Sequence, residues 1–367
     1  MKILVVTNDA MFEDNDEIYI ESSTGGFLVT LSRNTDKLTL FHFKMRFAQS
    51  RRLADFKISG KGINILNVSW TKYKFLNYVR AAYRGYFYLK KADFFYVFYP
   101  GHLSKIMCFF AFVQGKKFGM YIRGEKDVAS GLARFFYKRA QIVLTVSSQF
   151  TDQIISFGGN AQTIRPMIDY NEQDVVIGRQ YAQKSQYRLL YVGRLETRKG
   201  TFDLIYAVKR VRELGLVNFV LDVVGDGPEV LKIKELADQL DLSEMILFHG
   251  SVSKKEELKK YYLNSDLFVF PSHDEGFPRV IYEASILGLP IATTFVGTIG
   301  NLMKNNVNCY QLPVKKPHEM GDVIYNILKD YNAVAAIAQS AKETVLSYLG
   351  ANKYPHEEQL LRTINML

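Results

Sequence analysis

Apolar runs of four to seven residues alternate along this chain with stretches of helical spacing, in two successive series. In the first series Lys2–Thr7, Asp93–Tyr99, Phe118–Ile122 and Ile142–Val146 have the length and near-uniform character of buried parallel strands. Phe27–Ser32 reads as a helix start, and Leu103–Val113 and Leu132–Ala140 read as helices between strands. Asn8–Glu21 reads as an acidic, irregular loop, and Leu38–Val68 as short strands joined by basic loops. Thr71–Lys91 places apolar residues at 75, 76, 79, 82, 83, 86 and 89, which is helical spacing, with Lys74, Arg80, Arg84, Lys90 and Lys91 on its other positions. Such a helix either packs its apolar face on a sheet and leaves the basic face in water, or lays an amphipathic surface on anionic lipid.

The second series has strands at Tyr187–Val192, Phe219–Val224, Ile246–His249 and Leu267–Phe270. Helices are expected at Thr201–Leu214, Val230–Leu240, Lys254–Leu263 and about Arg279–Leu287, the last stopped by Gly288 and Pro290. Strands alternating with helices predict an α/β chain of two doubly wound domains. The first spans residues 1–166 and closes near Ile164-Arg165-Pro166; residues 167–186 read as a polar linker, and 187–350 as the second domain. Glycine turns end three successive strands of that second domain, at Gly193, at Gly225-Asp226-Gly227-Pro228 and at Gly250, all on one edge of one sheet.

Composition narrows the class. A chain of 367 residues, 48% hydrophobic and 23% charged, can bury two globular cores. Cys108 and Cys309 are far apart and in no metal-ligand spacing, which points to a reducing compartment and against a disulfide scaffold or zinc site. The opening MKILVVTND has too short an apolar run for a signal peptide, and no stretch approaches about 18 uninterrupted apolar residues. A cytoplasmic protein is expected. The net charge of +10 is uneven: residues 33–139 hold 22 Lys/Arg against 5 Asp/Glu, a net of +17, interleaved with Phe and Tyr, whereas residues 171–367 hold 23 against 24. The first half is therefore expected to meet something anionic.

The candidate chemistry lies at strand ends, where ligands of open parallel sheets bind beside helix N-termini. Gly193-Arg194-Leu195-Glu196-Thr197-Arg198-Lys199-Gly200 lies between a strand and a helix, so Arg194 and Lys199 can grip a diphosphate as fork donor and point cation. Pro271–Pro290, PSHDEGFPRVIYEASILGLP, puts Glu275 before a turn and Glu283 about one helical turn after it. Carboxylates accept hydrogen bonds from paired hydroxyls, so a sugar or ribose is the natural ligand there. Gly25 and Gly26 precede the first helix, where glycine lets a phosphate approach backbone N–H groups. His102 and Arg123 fall at strand ends of the first domain. Asp14-Asn15-Asp16 has the spacing of a divalent-ion site but sits among Glu13 and Glu17 in a solvated acidic loop, so no metal site is expected.

GRLETRKG, VVGDGP, FHG and FVFPSHDEGFPRVIYEA together resemble the retaining, nucleotide-sugar-dependent glycosyltransferases of family four. The likeness is specific over about Leu189–Leu312 and generic over the first half. It implies the GT-B architecture, two Rossmann-like domains facing each other across a crevice, with the C-terminal segment 351–367, a helix at about Pro355–Met366, returning to the first domain. The family's paired glutamates, with seven residues between them, fall on Glu275 and Glu283. By resemblance, Arg194 and Lys199 neutralise the donor diphosphate, Glu283 takes the ribose hydroxyls, and Glu275 with the backbone of Gly276 and Phe277 holds the transferred sugar. Gly193 belongs to the same donor loop, Val252 reads the nucleobase through its backbone, and Gly25 and Gly26 meet the phosphates.

Two positions depart from the family pattern. Pro278 stands where many members have Gly, and Arg123 where many have a His that contacts donor sugar or acceptor. A guanidinium cannot act as a base, so Arg123 is a candidate for binding an anionic sugar or phosphate. His102 and His273 are candidates to replace the missing His. The expected partners are a nucleotide-diphosphate sugar, a saccharide acceptor carried on a lipid diphosphate, and the inner face of an anionic membrane. A hexosyl-type transfer in bacterial surface polysaccharide assembly is expected, with no metal and no other cofactor. Other readings are a soluble acceptor, a GT-B phosphorylase or epimerase, or a non-catalytic nucleotide-sugar binder. A nucleic-acid-binding surface is disfavoured, because the basic residues spread over a whole α/β domain without an RNA-binding motif.

Overall fold

In Lys2–Val6 every residue from Ile3 onward is at most 1% exposed, as expected of a strand buried on both faces. The computed structural model describes residues 1–367 except 10, 47–53, 55, 123–127, 166, 167, 169, 171, 253, 276, 277, 352, 353, 366 and 367. The chain divides into two units, Met1–Met167 with Asn352–Leu367, and Ile168–Ala351.

Unit 1 begins β1 (Lys2–Val6), β2 (Met11–Asp14), β3 (Glu17–Ile20), α1 (Ser22–Arg33), β4 (Lys37–Arg46), β5 (Phe56–Lys57) and β6 (Asn64–Ser69). It continues α2 (Lys74–Lys90), β7 (Phe94–Tyr99), α3 (His102–Val113), β8 (Phe118–Ile122), α4 (Gly131–Tyr137), β9 (Ile142–Thr145), α5 (Ser148–Ser156) and β10 (Ala161–Thr163). Its ten-stranded sheet runs β10-β9-β8-β7-β1-β4-β2-β3-β5, with β6 on β4. Side chains alternate across it. Leu4, Val6, Phe95 and Val97 share one core with Ala81 and Leu89 of α2, Met107 and Ala111 of α3, and Phe136 of α4. On the other face Phe27 of α1 stacks on His356, with ring centroids 4.3 Å apart, and the Tyr96 hydroxyl lies 2.5 Å from His356 Nε2.

Three expectations for this half are corrected. The acidic loop is a β2–β3 hairpin whose turn residues Asn15 and Asp16 both have positive φ, 47° and 63°, as a tight primed turn requires. The turn hid the pattern: Met11 and Ile20 are fully buried, while Glu13 pairs with Lys44 (2.6 Å) and Glu17 with Lys57 (2.8 Å). The Gly25-Gly26 turn is instead the first turn of α1, which starts at Ser22 behind an Glu21 cap that accepts from Thr24 N–H at 3.1 Å. A Cβ on Gly25 would lie 2.3 Å from the Phe56 ring, so this glycine is needed for packing. Finally, α2 packs its small residues inward. Asn77, Ala81, Gly85 and Leu89 are buried, and Phe75, Leu76, Val79 and Tyr83 are exposed, the reverse of the apolar-face-inward reading.

Unit 2 begins β11 (Tyr187–Val192), α6 (Thr201–Glu213), β12 (Phe219–Val224), α7 (Val230–Gln239), β13 (Ile246–Gly250), α8 (Lys255–Asn264) and β14 (Leu267–Phe270). There follow α9 (Arg279–Ile286), β15 (Ile291–Thr293), α10 (Ile299–Leu302), β16 (Tyr310–Gln311), α11 (Pro317–Lys329) and α12 (Val334–Ala351). Its sheet, β13-β12-β11-β14-β15-β16, is parallel throughout. The stretch expected as a linker is docked on this unit. Arg179 donates to the carbonyls of Tyr262 and Leu287, both at 3.1 Å, and of Ser265, and the Tyr181 hydroxyl donates to Gly288 O at 2.6 Å. Polar side chains in it serve the carbonyls left over at the ends of α8 and α9, so polarity did not mean solvation. The last helix, α13 (His356–Asn365), belongs to unit 1 and packs on α1 and β9. Burial pushes the Cys108 thiol up and the Cys309 thiol to about 12, so both are inert in the two cores.

Candidate active site

In unit 2, chain order reverses at β11: β12 and β13 extend the sheet on one side, and β14, β15 and β16 on the other. Such a switch point opens a crevice beyond the carboxyl ends of the strands, because the two following loops diverge to opposite faces. The loops after β11 and β14 stay joined at their bases. His273 N–H donates to Arg198 O at 2.9 Å, and Ser272 Oγ to the same carbonyl at 3.3 Å. Gly200 makes this approach possible. Its φ is +69°, and a Cβ there would lie 2.0 Å from Pro271 O.

The joined loops bring Lys199 and Glu275 together. Lys199 Nζ pairs directly with Glu275 Oε1, with only 15% and 8% of the two side chains exposed. The Glu275 backbone is held from beneath by Gly297, between β15 and α10. At φ +57°, Gly297 comes so close that an added Cβ would lie 1.7 Å from Glu275 O. Glu283, in α9, is 7% exposed, and its Oε2 accepts from the Tyr262 hydroxyl at 2.9 Å. Burial first, and then the Glu283 charge, hold the Tyr262 pKa well above its ordinary value, so this hydroxyl remains a donor.

The remaining expected residues are more scattered. Arg194 follows Gly193, whose N–H continues the β11–β12 ladder to Val224 O at 3.0 Å, but its guanidinium turns to Glu196 at 3.7 Å. Val252 is half-buried two residues beyond β13, and Pro278 is the buried cap of α9. His273 Nε2 lies 2.7 Å from Asp203 Oδ2, which ties the loop to α6 and gives this histidine a positioning role. His102 opens α3 in unit 1 as an exposed residue, its ring edge-on to Tyr78 at 5.8 Å. Gly25 and Gly26 also lie in unit 1. Arg123, Gly276 and Phe277 fall outside the described residues. Among the described residues, no three His, Cys, Asp or Glu are grouped to hold a metal ion.

Sequence reading missed Tyr262, Asp203 and Gly297. Gly297 carried a usable signal, a glycine just past a buried strand like those at Gly193 and Gly225. Tyr262 carried none, since nothing distinguishes it from Tyr261 until α8 is packed against α9.

Residues 177–344 match the family described as "Glycosyl transferases group 1". The chain carries a group 1 glycosyltransferase domain. The match covers all the unit 2 residues named above, from Gly193 to Gly297. The chain is 25% identical over 240 residues to N-acetyl-alpha-D-glucosaminyl L-malate synthase of Bacillus anthracis, an alignment spanning 63% of this chain and 62% of the relative, less than two thirds of its length. Among solved structures, Anabaena Alr3699/HepE in complex with UDP matches all of both chains with a TM-score of 0.69 at 18% identity. The lipopolysaccharide outer core galactosyltransferase WaaB matches with 0.64 at 17%, over 100% of this chain and 99% of its own. The fold class is thus the GT-B one, mixed α/β with two Rossmann-like sheets.

Proposed function

We propose that this chain is a retaining glycosyltransferase that moves a hexosyl-type group from a nucleotide-diphosphate sugar to a saccharide acceptor. The observation that carries the reading is the buried Lys199–Glu275 pair at the switch point of a group 1 domain. A cation and a carboxylate held together without donor can separate onto a donor that offers both partners: Lys199 to the diphosphate, Glu275 to the sugar hydroxyls. Glu283, oriented by Tyr262, takes the ribose hydroxyls, and the backbone around Val252 reads the base. HepE was solved with UDP and WaaB is named a galactosyltransferase, in keeping with a donor of this class.

In the reaction the bond from the anomeric carbon to the diphosphate oxygen breaks through an oxocarbenium-like transition state. The acceptor oxygen bonds to the same face of that carbon, and its proton passes to the departing diphosphate. The leaving group gains negative charge as it departs. Lys199, Arg194 and the N-terminus of α6 therefore stabilise the transition state more than the ground state. These fixed charges can do what a divalent ion would do, and metal independence is part of the proposal. The acceptor is a lipid-diphosphate-linked intermediate of bacterial surface polysaccharide, worked on at the inner face of the cytoplasmic membrane. Its support is the +17 charge of residues 33–139. No helix among the described residues is long and apolar enough to cross a membrane.

The test is a thermal-shift panel of UDP-, GDP-, ADP- and CMP-sugars, with and without a chelator. One base is expected to stand out, by about 2.7 kcal/mol at a hundred times its Kd, with or without chelator, and to lose its effect in Arg194→Ala. No shift by any sugar nucleotide, in protein shown to be folded, overturns the reading.

A further inference from the structure

The outer surface of one helical layer in unit 1 is aromatic and cationic together. Helices α2, α3 and α4 all pack on the same sheet face. Along α2 the buried stripe Asn77, Ala81, Gly85, Leu89 repeats every four residues, and so does the stripe Phe75, Val79, Tyr83, Phe87 on the opposite side. That second stripe is open: Phe75 is 79% exposed, Tyr83 69%, Val79 47% and Phe87 46%. α3 packs against α2, with Tyr86 and Phe110 rings 5.4 Å apart, and adds Phe109 (52% exposed) and Val113 (57%). Soluble proteins rarely leave contiguous apolar ridges of this kind without a partner.

Charge selects the partner. α2, α3 and α4 contain no Asp or Glu, while Lys74, Arg80, Lys90 and Lys138 are exposed on or beside them. Cations sit directly against the rings: Lys90 Nζ is 5.1 Å from the Tyr86 centroid, and the Arg139 guanidinium is 5.1 Å from that of Phe112. A second copy of the same face would press cations against cations. Rings that enter the acyl boundary with lysines and arginines level with the headgroups match an anionic bilayer.

We propose that the α2–α3–α4 layer is a membrane-docking surface, in which the Phe75–Phe87 stripe inserts into the interface of an anionic bilayer and the flanking cations meet its headgroups. This deepens the membrane part of the proposed function by assigning that contact to one face and by adding insertion to electrostatic attraction.

Two variants separate the terms: Phe75→Ser/Val79→Ser/Tyr83→Ser, and Lys74→Gln/Arg80→Gln/Lys90→Gln. Arg84 is left alone because it donates to Asn67 O at 3.0 Å. All six substituted side chains are exposed, and melting curves establish that both variants fold. Sedimentation with phosphatidylglycerol-containing vesicles is compared with pure phosphatidylcholine at low and high salt. The native chain is expected to bind anionic vesicles and to keep part of that binding at high salt. The cation variant should lose about 10²-fold at low salt, a factor of roughly five per charge. The apolar variant should lose the salt-resistant part. Failure of the native chain to bind anionic vesicles at low salt, or equal binding by all three proteins, overturns the proposal. So does a native dimer that the apolar variant dissolves, since a second copy then covers the face. The nucleotide thermal shift, run on the same three proteins, should be identical in all. Its absence from the native chain would sink the donor-site reading and leave the docking result standing.

Discussion

β11 in unit 2 and β1 in unit 1 occupy equivalent places, each with one parallel neighbour that continues the series and another reached by a crossover. The loops that follow them are built differently. After β11 a buried cation faces a buried carboxylate, and in the same unit Tyr262 and Glu283 form a second polar pair between α8 and α9. After β1 the polar groups are small and satisfy one another: Thr24 Oγ1 donates to Asp9 Oδ2 at 2.6 Å, Ser104 Oγ to Asn8 Oδ1 at 3.3 Å, and Glu21 closes the N-terminus of α1. Two sheets that share a switch point therefore offer two kinds of strand-end chemistry. Topology supplies the crevice, and side chains decide what it can bind.

The largest effect expected from breaking the contrast is at Lys199. Under the proposed function Lys199→Ala removes the cation assigned to the leaving diphosphate, so donor-dependent turnover should fall by about 10²–10³-fold. It also leaves Glu275 charged, buried and unpaired, which costs about 3–5 kcal/mol of stability. Lys199→Ala/Glu275→Ala should recover most of the melting temperature and none of the turnover. A double variant as unstable as the single one would show that the pair is not what holds the loop.

Gly297→Ala is next. Positive φ and the 1.7 Å approach to Glu275 O act together, and a loss of about 2–3 kcal/mol is expected in chemical denaturation. Gly215, at φ +94° with nothing within 4 Å of an added Cβ, isolates the strain alone. Gly215→Ala should cost about 1 kcal/mol. Equal losses would mean that the contact under Glu275 contributes nothing.

These residues also show what the sequence made legible. Arg194, Lys199, Glu275 and Glu283 could be named because their spacing is local, a strand end followed by a helix start. The pairing of Lys199 with Glu275 could not, since 76 residues separate them and only the switch point brings their loops together. Tyr262 and Glu283 likewise meet only when α8 and α9 pack. In unit 1 the reading of α2 that put its apolar face on the sheet failed, because hydrophobic spacing finds a stripe without saying which way it faces. Ala81 and Gly85 are small enough to let α2 lie close to the sheet, and the large residues then go outward. The hairpin at Asn15-Asp16 was hidden by its charge, although paired acidic and basic neighbours make that charge compatible with strands.

Tyr262→Phe sharpens the comparison within unit 2. It deletes one charge-assisted hydrogen bond to Glu283 and leaves the ring in place, so a loss of about 1.5–3 kcal/mol is expected, divided between stability and donor binding. Donor affinity should fall for every sugar on the same base, because the proposed function gives Glu283 the ribose hydroxyls. A variant that loses stability alone would make Tyr262 a packing residue and leave Glu283 to orient itself.

The smallest effect tests whether α1 of unit 1 takes part in donor binding. Gly25 and Gly26 are adjacent yet differ: a Cβ on Gly25 meets the Phe56 ring at 2.3 Å, whereas one on Gly26 meets nothing within 4 Å. Gly25→Ala should therefore destabilise through the displaced ring. Gly26→Ala replaces a glycine inside a helix and should stabilise by about 0.5–1 kcal/mol. If, as the family resemblance implies, a donor phosphate meets Gly26, a methyl group in the open space beside it stands in the way. Gly26→Ala should then raise the melting temperature of the free protein while weakening the nucleotide-dependent shift, two changes of opposite sign from one methyl group. A rise in melting temperature with an undiminished shift would remove α1 from the donor site. The Glu21 carboxylate at its N-terminus would then count as the reason, since it already occupies the position an anion would take.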